Sequence, residues 1–197
     1  MDKVYVIGRD SVPEVFRARG GEPLRLSFVC LPGVSAKVAV RVDIDEPGCE
    51  VDLAGLYLCG GDEKVEFDVR LNHNVGGSVS RQNFRGIVGG KASALFDGLI
   101  YVAPDAQKTK AYQENRTILL DDTARVESRP QLEIYADDVE CSHGCTSGFL
   151  NEEEAFYMRS RGIPEETAQY LQKIAFISPV VERLPEELAG EVYAGIH

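Results

Sequence analysis

Between Leu24 and Ile134 apolar and polar residues alternate in short runs, most clearly Val38, Val40, Val42 and Ile44, then Val51 to Leu58, then Val65, Phe67, Val69 and Leu71. Alternation at period two marks a strand with one buried face. The runs begin near residues 38, 51, 65 and 79, and this recurrence of about 14 residues constrains the fold more than any other feature. Further strands are expected at 84–88, 94–102, 117–120 and 132–135. The breaks carry turn chemistry in Glu46-Pro47-Gly48, Gly60-Gly61-Asp62, Gly76-Gly77 and Gly89-Gly90. A sandwich of hairpins would also space short strands evenly. Asp97-Gly98 is the one Asp-Gly pair, however, no Asn-Gly occurs, and Asp97-Gly98 lies inside an apolar run. The spacing therefore predicts a mainly β chain built as a solenoid of stacked rungs.

The pattern changes after Gly148. Asn151 is placed to cap a helix whose first turn holds Glu152, Glu153 and Glu154, where acids favour the helix dipole. Phe156 and Tyr157 supply an apolar face, and Gly162 stops that helix. A second helix is expected from Pro164 to Ile177, with Ala168, Leu171, Ile174 and Ala175 facing the core and Pro179 ending it. Pro185 to Ile196 suggests a short third helix. The outline is a β core over 1–150 and a C-terminal helical segment over 151–197.

The chain of 197 residues is of single-domain size, and 21 Lys and Arg against 32 Asp and Glu give a net charge of −11. That balance argues against nucleic acid and against an anionic membrane surface, both of which demand clustered cations. No apolar run approaches the ~20 residues of a membrane helix. The N-terminus has no long hydrophobic region, so a cytoplasmic protein is expected. Five cysteines, an odd number, read as thiols rather than bridges in that setting.

The sharpest local feature is Cys141-Ser142-His143-Gly144-Cys145. If the segment is extended, Cys141, His143 and Cys145 project from one face. Such a set suits zinc, iron or an iron–sulfur cluster, with a fourth position open to a partner chain. The competing reading makes the cysteines small buried hydrophobes and His143 a turn residue. Asp137 and Asp138, with Glu140, lie just upstream. A carboxylate pair could serve a β-helix polysaccharide lyase or hydrolase, although adjacent strand residues face opposite ways and a solvated turn is the plainer reading. His73, one of three histidines with His143 and His197, sits at a strand end beside glycines and reads as a polar turn residue, with a ligand role as the alternative. Gly86 to Lys91 lacks the spacing of a phosphate loop and reads as a turn.

The segment Pro130 to Gly144, reading PQLEIYADDVECSHG, closely resembles the SufB/SufD family, on its SufD side. The likeness continues through Phe156-Tyr157-Met158-Arg159-Ser160-Arg161-Gly162-Ile163 and reaches upstream to Phe96-Asp97-Gly98-Leu99-Ile100-Tyr101-Val102 and Ile118-Leu119-Leu120. This resemblance implies a right-handed parallel β-helix followed by C-terminal helices. It implies a non-enzymatic scaffold of the SUF system that handles a transient iron–sulfur cluster. It also implies a SufB-like partner along the β-helix and a SufC-like ATPase on the helices, with Phe156, Tyr157 and Arg161 as docking residues. The family's interfacial His and neighbouring Cys correspond to His143 and Cys141. Cys145 stands where the family usually has a small residue such as Ala. The chain is short for the family, lacking most of its N-terminal helical domain, so a homodimer is a further expectation.

Overall fold

The computed structural model describes residues 2–196. Its strands are β1 (Asp2–Val6), β2 (Val15–Ala18), β3 (Leu24–Cys30), β4 (Ala36–Ile44), β5 (Glu50–Cys59) and β6 (Lys64–His73). They continue as β7 (Val79–Val88), β8 (Ser93–Val102), β9 (Lys110–Leu119), β10 (Arg125–Ile134) and β11 (Glu140–Gly148). Three helices follow, α1 (Glu152–Ser160), α2 (Glu165–Val181) and α3 (Glu186–Gly195). Odd-numbered strands form one sheet, in the order β1-β3-β5-β7-β9-β11, and even-numbered strands form the other, in the order β10-β8-β6-β4-β2. All pairing within them is parallel. The chain thus winds as a β-helix, giving one strand to each sheet per turn. Glu50 stacks on Val79 and Val79 on Lys110, while Lys64 stacks on Ser93 and Ser93 on Arg125, so 29 to 32 residues separate partners. The 14-residue recurrence is half a rung.

Between the sheets, side chains stack in columns. In the early rungs the columns are apolar, as in Leu26 over Leu53 and Phe67 over Phe96, and all four are buried. Aromatic rings are seated against glycines. A Cβ on Gly86 would lie 1.9 Å from Cε2 of Tyr57, and one on Gly55 would lie 2.1 Å from Cδ1 of Phe84. Close packing leaves no room for even one methyl group there. At the turns, Gly90 has φ +63° and stacks on Gly61, so a side chain is excluded both by conformation and by a backbone nitrogen 2.9 Å away.

The outer face of the odd-numbered sheet carries Val29, Ala54, Leu56, Leu58 and Ile87, which form a second core with Ile177, Val180 and Val181 of α2 and Leu188 and Val192 of α3. Secondary structure changes at residue 150, but α2 and α3 share this core with the sheet.

Pro179 does not end α2, contrary to the sequence expectation; the helix continues to Val181. Proline frees the carbonyl four residues back, and here the Ser178 hydroxyl donates to Ala175 O at 3.0 Å, satisfying it. Burial of Val180 and Val181 then favours the last turn. The buried face is also rotated from the expected one, because Ile177, Val180 and Val181 are buried while Leu171 and Ala175 are exposed. Among the described residues no helix is long and apolar enough to cross a membrane.

Candidate functional site: the terminal rung

β11 is extended, and its register sets Cys141 on Ala111, His143 on Gln113, Cys145 on Asn115 and Ser147 on Thr117. Ala111, Gln113, Asn115 and Thr117 are all buried in the lumen between the sheets. The strand's period of two therefore turns Cys141, His143 and Cys145 to the lumen face, as the spacing predicts. No further rung covers them among the described residues, so His143 and Cys145 are exposed and Cys141 half-buried. Donors two residues apart on a parallel strand are about 6.6 Å apart at Cα, so Cys141 and Cys145 stand about 13 Å from each other. Among the described residues no three His, Cys, Asp or Glu side chains converge closely enough to hold a metal ion. A shared ligand therefore has to draw on donors beyond this strand.

The backbone of the rung is equally open. Glu140 N–H donates to Thr109 O at 2.9 Å, so even-numbered residues of β11 bond to β9. Alternate residues of a parallel strand bond to opposite neighbours. The free edge is thus presented by Cys141, His143, Cys145 and Ser147. On β10, Arg125 N–H donates to Ala92 O and Tyr135 N–H to Val102 O, both at 3.0 Å, which leaves the even-numbered residues facing outward. Pro130 is one of them, so its missing N–H faces the open edge and costs no ladder bond.

Beneath the donors the lumen is polar. Gln113 Nε2 donates to Gln82 Oε1 at 3.1 Å, Asn115 Nδ2 donates to Ser128 Oγ at 2.6 Å, and the Tyr57 hydroxyl reaches Asn115 Oδ1 at 3.0 Å and Thr117 Oγ1 at 2.6 Å. Gln82 and Gln113 are only 2% and 3% exposed, yet Gln82 Nε2 and Gln113 Oε1 have no partner. Leaving buried amide groups unpaired costs free energy, and His143 is the next residue in that column. Sequence patterning missed these positions, since Gln, Asn and Ser in the lumen break apolar alternation. The signal lies in register: Gln82, Gln113 and His143 recur at the rung spacing.

Cys141 lies in a small apolar cap with Ala111, Leu132 and Val139. Desolvation pushes its thiol upward, opposed by a backbone hydrogen bond at Ala111, and the Glu140 charge adds to the rise. Cys141 is a thiol at rest, and a metal or a neighbouring cation is needed to make it a thiolate. Glu140 is held below the usual carboxylate range by the Tyr112 hydroxyl, which donates to it, and by Lys110 Nζ at 3.1 Å. It is tied to the outer face and is not free to act with Asp137 or Asp138.

Those two aspartates lie on the exposed turn between β10 and β11. Asp138 N–H donates to Gln107 Oε1 at 2.8 Å, and its carbonyl accepts from Lys108 N–H at 2.6 Å. The backbone bonding of Asp138 is that of a corner. The polysaccharide-cleaving alternative is not favoured. His73 is not a turn residue. It ends β6 fully buried, with Nε2 2.8 Å from Ser80 Oγ and Nδ1 without a partner, and burial lowers it to about 4. Of Gly86 to Lys91, the first three residues belong to β7 and only the rest turns. His197 lies outside the described residues.

α1 begins as read, with Asn151 Oδ1 accepting from the N–H groups of Glu153 and Glu154 at 2.9 and 3.2 Å. Its aromatic residues, however, lie largely in solvent. The helix buries no residue, and Phe156 and Tyr157 are 70% and 59% exposed. Arg161 lies over the Tyr157 ring, 5.3 Å from its centroid. Asn151 and Gln172 tie the helix to α2, through Asn151 N–H to Gln172 Oε1 at 3.1 Å and Gln172 Nε2 to Asn151 O at 2.9 Å. Phe149 lines one groove with Phe156 and is itself exposed.

The fold and the rung agree with what comparison with known proteins finds. Residues 25–176 match the family model described as the SufBD core domain of SUF-system FeS cluster assembly. The iron–sulfur cluster assembly protein SufD of Escherichia coli is 47% identical over 127 residues, which is 64% of this chain and 30% of that protein. An iron–sulfur cluster assembly SufBD family protein of Synechocystis is 39% identical over 163 residues, 82% of this chain and 36% of the relative. SufD of Bacillus subtilis is 33% identical over 127 residues, 64% of this chain and 29% of that protein. The chain thus spans about a third of the length of these curated relatives. A β-helix matched over most of its rungs, closed by a Cys-Ser-His-Gly strand and followed by helices, belongs to the SufBD core-domain family.

Proposed function

We propose that the chain is a non-enzymatic scaffold on which iron–sulfur clusters are assembled, the cluster being its cargo. The observation that carries this reading is the uncapped terminal rung, where Cys141, His143 and Cys145 face an open polar lumen from a strand with an unpaired edge. An open edge invites a second β-helix chain, either a SufB-like subunit or another copy. The partner supplies donors that one strand cannot. The exposed surface of α1, with Phe156, Tyr157 and Arg161, is the docking element for a SufC-like ATPase, and its solvation in the free chain favours that role. The expected compartment is the cytoplasm.

Anaerobic reconstitution with ferrous iron and sulfide tests the reading. The purified chain should acquire acid-labile sulfide and a visible iron–sulfur chromophore, and His143→Ala should acquire several-fold less while keeping its melting temperature. A chain that takes up no labile sulfide, alone or with a SufB-like partner, overturns the proposal. Failure of a SufC-like ATPase to bind the full chain overturns the role given to α1.

A further inference from the structure

The outer face of the odd-numbered sheet changes character along its strands. Under α2 and α3 it is apolar, with Ala54, Leu56, Leu58 and Ile87. Nearer the starts of β7 and β9 its outward residues are Arg81, Asn83 and Arg85, then Tyr112, Glu114 and Arg116, in alternation with the buried Gln82, Phe84, Gln113 and Asn115. The register sets Arg81 on Tyr112, Asn83 on Glu114 and Arg85 on Arg116. A recess of about 460 Å³ opens over the first two of these columns and reaches Ser142 and Gly144 of β11.

Donors dominate this strip. Three arginines face one glutamate, which leaves two positive charges there on a chain whose net charge is −11. Glu114 is already engaged, by Arg85 Nη2 at 2.9 Å and by Arg116. Arg85 is 7% exposed, with its guanidinium 5.5 Å from the centre of the Phe176 ring, so it holds Glu114 from below. Arg81 makes no ion pair among the described residues, and its guanidinium lies 5.9 Å from the centre of the Tyr112 ring. The flanking charges are matched, Lys110 by Glu140 at 3.1 Å and Arg183 by Asp52 at 2.9 Å. Asn83 Oδ1 is buried without a partner, so the NH2 end of that amide is the one turned to the recess. A guanidinium beside an amide NH2 calls for a carboxylate.

One small anion does not span the strip. Arg81 and Arg116 lie four residues apart in register on neighbouring strands, which separates their Cα atoms by about 14 Å. An extended peptide sets side chains four residues apart on one face, about 13 Å from each other. The residue midway between them meets Glu114, which repels an acid, and Glu154 lines the next recess beyond Arg116. The overall charge of the chain also disfavours a long acidic run. We infer that this strip is a docking groove for an extended segment of another protein, with two carboxylates four residues apart on Arg81 and Arg116 and a small uncharged residue between them over Glu114. Two attractive positions and one repulsive position give the groove its selectivity. Phe156 and Tyr157 line neither recess, so this surface is separate from the one given to the ATPase. It also stands independently of the cluster-assembly reading.

Fluorescence anisotropy on the full chain tests it, with fluorescein-labelled Ser-Glu-Ser-Gly-Ser-Glu-Ser as the probe. Binding in low salt should saturate, with half-saturation below about 1 mM. Arg81→Ala alters an exposed side chain, so it should keep its melting temperature and bind about fivefold more weakly, the upper range for an exposed ion pair. Replacing the central Gly of the probe by Glu should weaken binding at least threefold. Phe156→Ala with Tyr157→Ala should leave it unchanged. No saturation at 1 mM, equal binding by Arg81→Ala, or tighter binding of the three-glutamate peptide overturns the inference. Loss of binding in the Phe156 and Tyr157 variant overturns it too, by merging the groove with the surface of α1. So does displacement of the probe by an equal concentration of inorganic phosphate, because the recess is then a small-anion site. A chain that binds the probe but builds no labile sulfide refutes the cluster-assembly reading and leaves the groove standing.

Discussion

His73 offers the most direct measurement of what the lumen demands. Its ring is fully buried with one nitrogen unpartnered, and desolvation lowers it from 6.5 to about 4. A depressed histidine means that the unfolded chain takes up a proton more readily than the folded one. Above pH 6.5 both states are neutral at this residue and it contributes no pH dependence. Between pH 6.5 and 4 the unfolded state protonates first, so stability falls with falling pH. The drop of about 2.5 pH units corresponds to about 3 kcal/mol by pH 4, at about 1.36 kcal/mol per unit. Below pH 4 this contribution levels off. Urea unfolding of the wild type and of His73→Gln, which can still bond Ser80 but does not titrate, isolates the effect from carboxylates common to both. The wild-type stability minus that of the variant should be flat from pH 8 to 6.5 and fall by about 3 kcal/mol at pH 4. A difference that stays constant across that range refutes the assignment of a neutral, desolvated imidazole.

The seats of the aromatic rings make further predictions. Gly86→Ala should destabilise the fold by at least 1–3 kcal/mol, because its Cβ would fall 1.9 Å from the Tyr57 ring; unchanged thermal unfolding contradicts the packing. Tyr57→Phe should cost about 1–3 kcal/mol by leaving Asn115 Oδ1 and Thr117 Oγ1 short of a partner in the lumen, read from the urea midpoint at constant m-value. Phe156→Ala with Tyr157→Ala should leave the melting temperature within about a degree, since both rings lie largely in solvent, while ATPase binding measured by calorimetry falls at least tenfold.

The readable part of the chain was the part whose lumen is apolar. Val38 to Ile44 and Val65 to Leu71 alternate because their inward residues are aliphatic or aromatic, Val51 to Leu58 is apolar on both faces because Ala54, Leu56 and Leu58 pack under the helices, and β4, β6 and β5 follow these runs. In β9 the inward residues include Gln113, Asn115 and Thr117, so the expected strand at 117–120 caught only the end of Lys110–Leu119. In β10 the inward Ser128 and Pro130 likewise hid the first seven residues of Arg125–Ile134. The Cys-x-His-x-Cys strand was legible because period two fixes its face whatever lies opposite. The solvation of Phe156 and Tyr157 was not legible, because an apolar helix stripe reads the same whether it meets a core or a partner.

The same columns explain where the protein places its chemistry. A solenoid gains stability by stacking like on like, and the early rungs do so, from Leu26 on Leu53 to Phe67 on Phe96. In the column of Leu26 and Leu53 the next members are Gln82, Gln113 and His143. Each substitution of amide for aliphatic forfeits apolar burial worth about 1.5–3 kcal/mol, and the ladder leaves two amide atoms unpaired. Such a loss is tolerable because α2 and α3 add a second core on the outer face, beneath the rungs whose lumen remains apolar. The polar column does not continue down to Leu53, so it does not act as a general lining of the helix. It rises only through the last three rungs of its sheet and ends at the one residue of the column that can bind metal. A purely structural terminus would be expected to close with an apolar or charged cap, whereas this one presents imidazole, thiols and unpaired backbone over an amide floor. On the proposed scaffold reading, the stability given up along that column is the cost of leaving His143 and the two cysteines open for a second chain to reach.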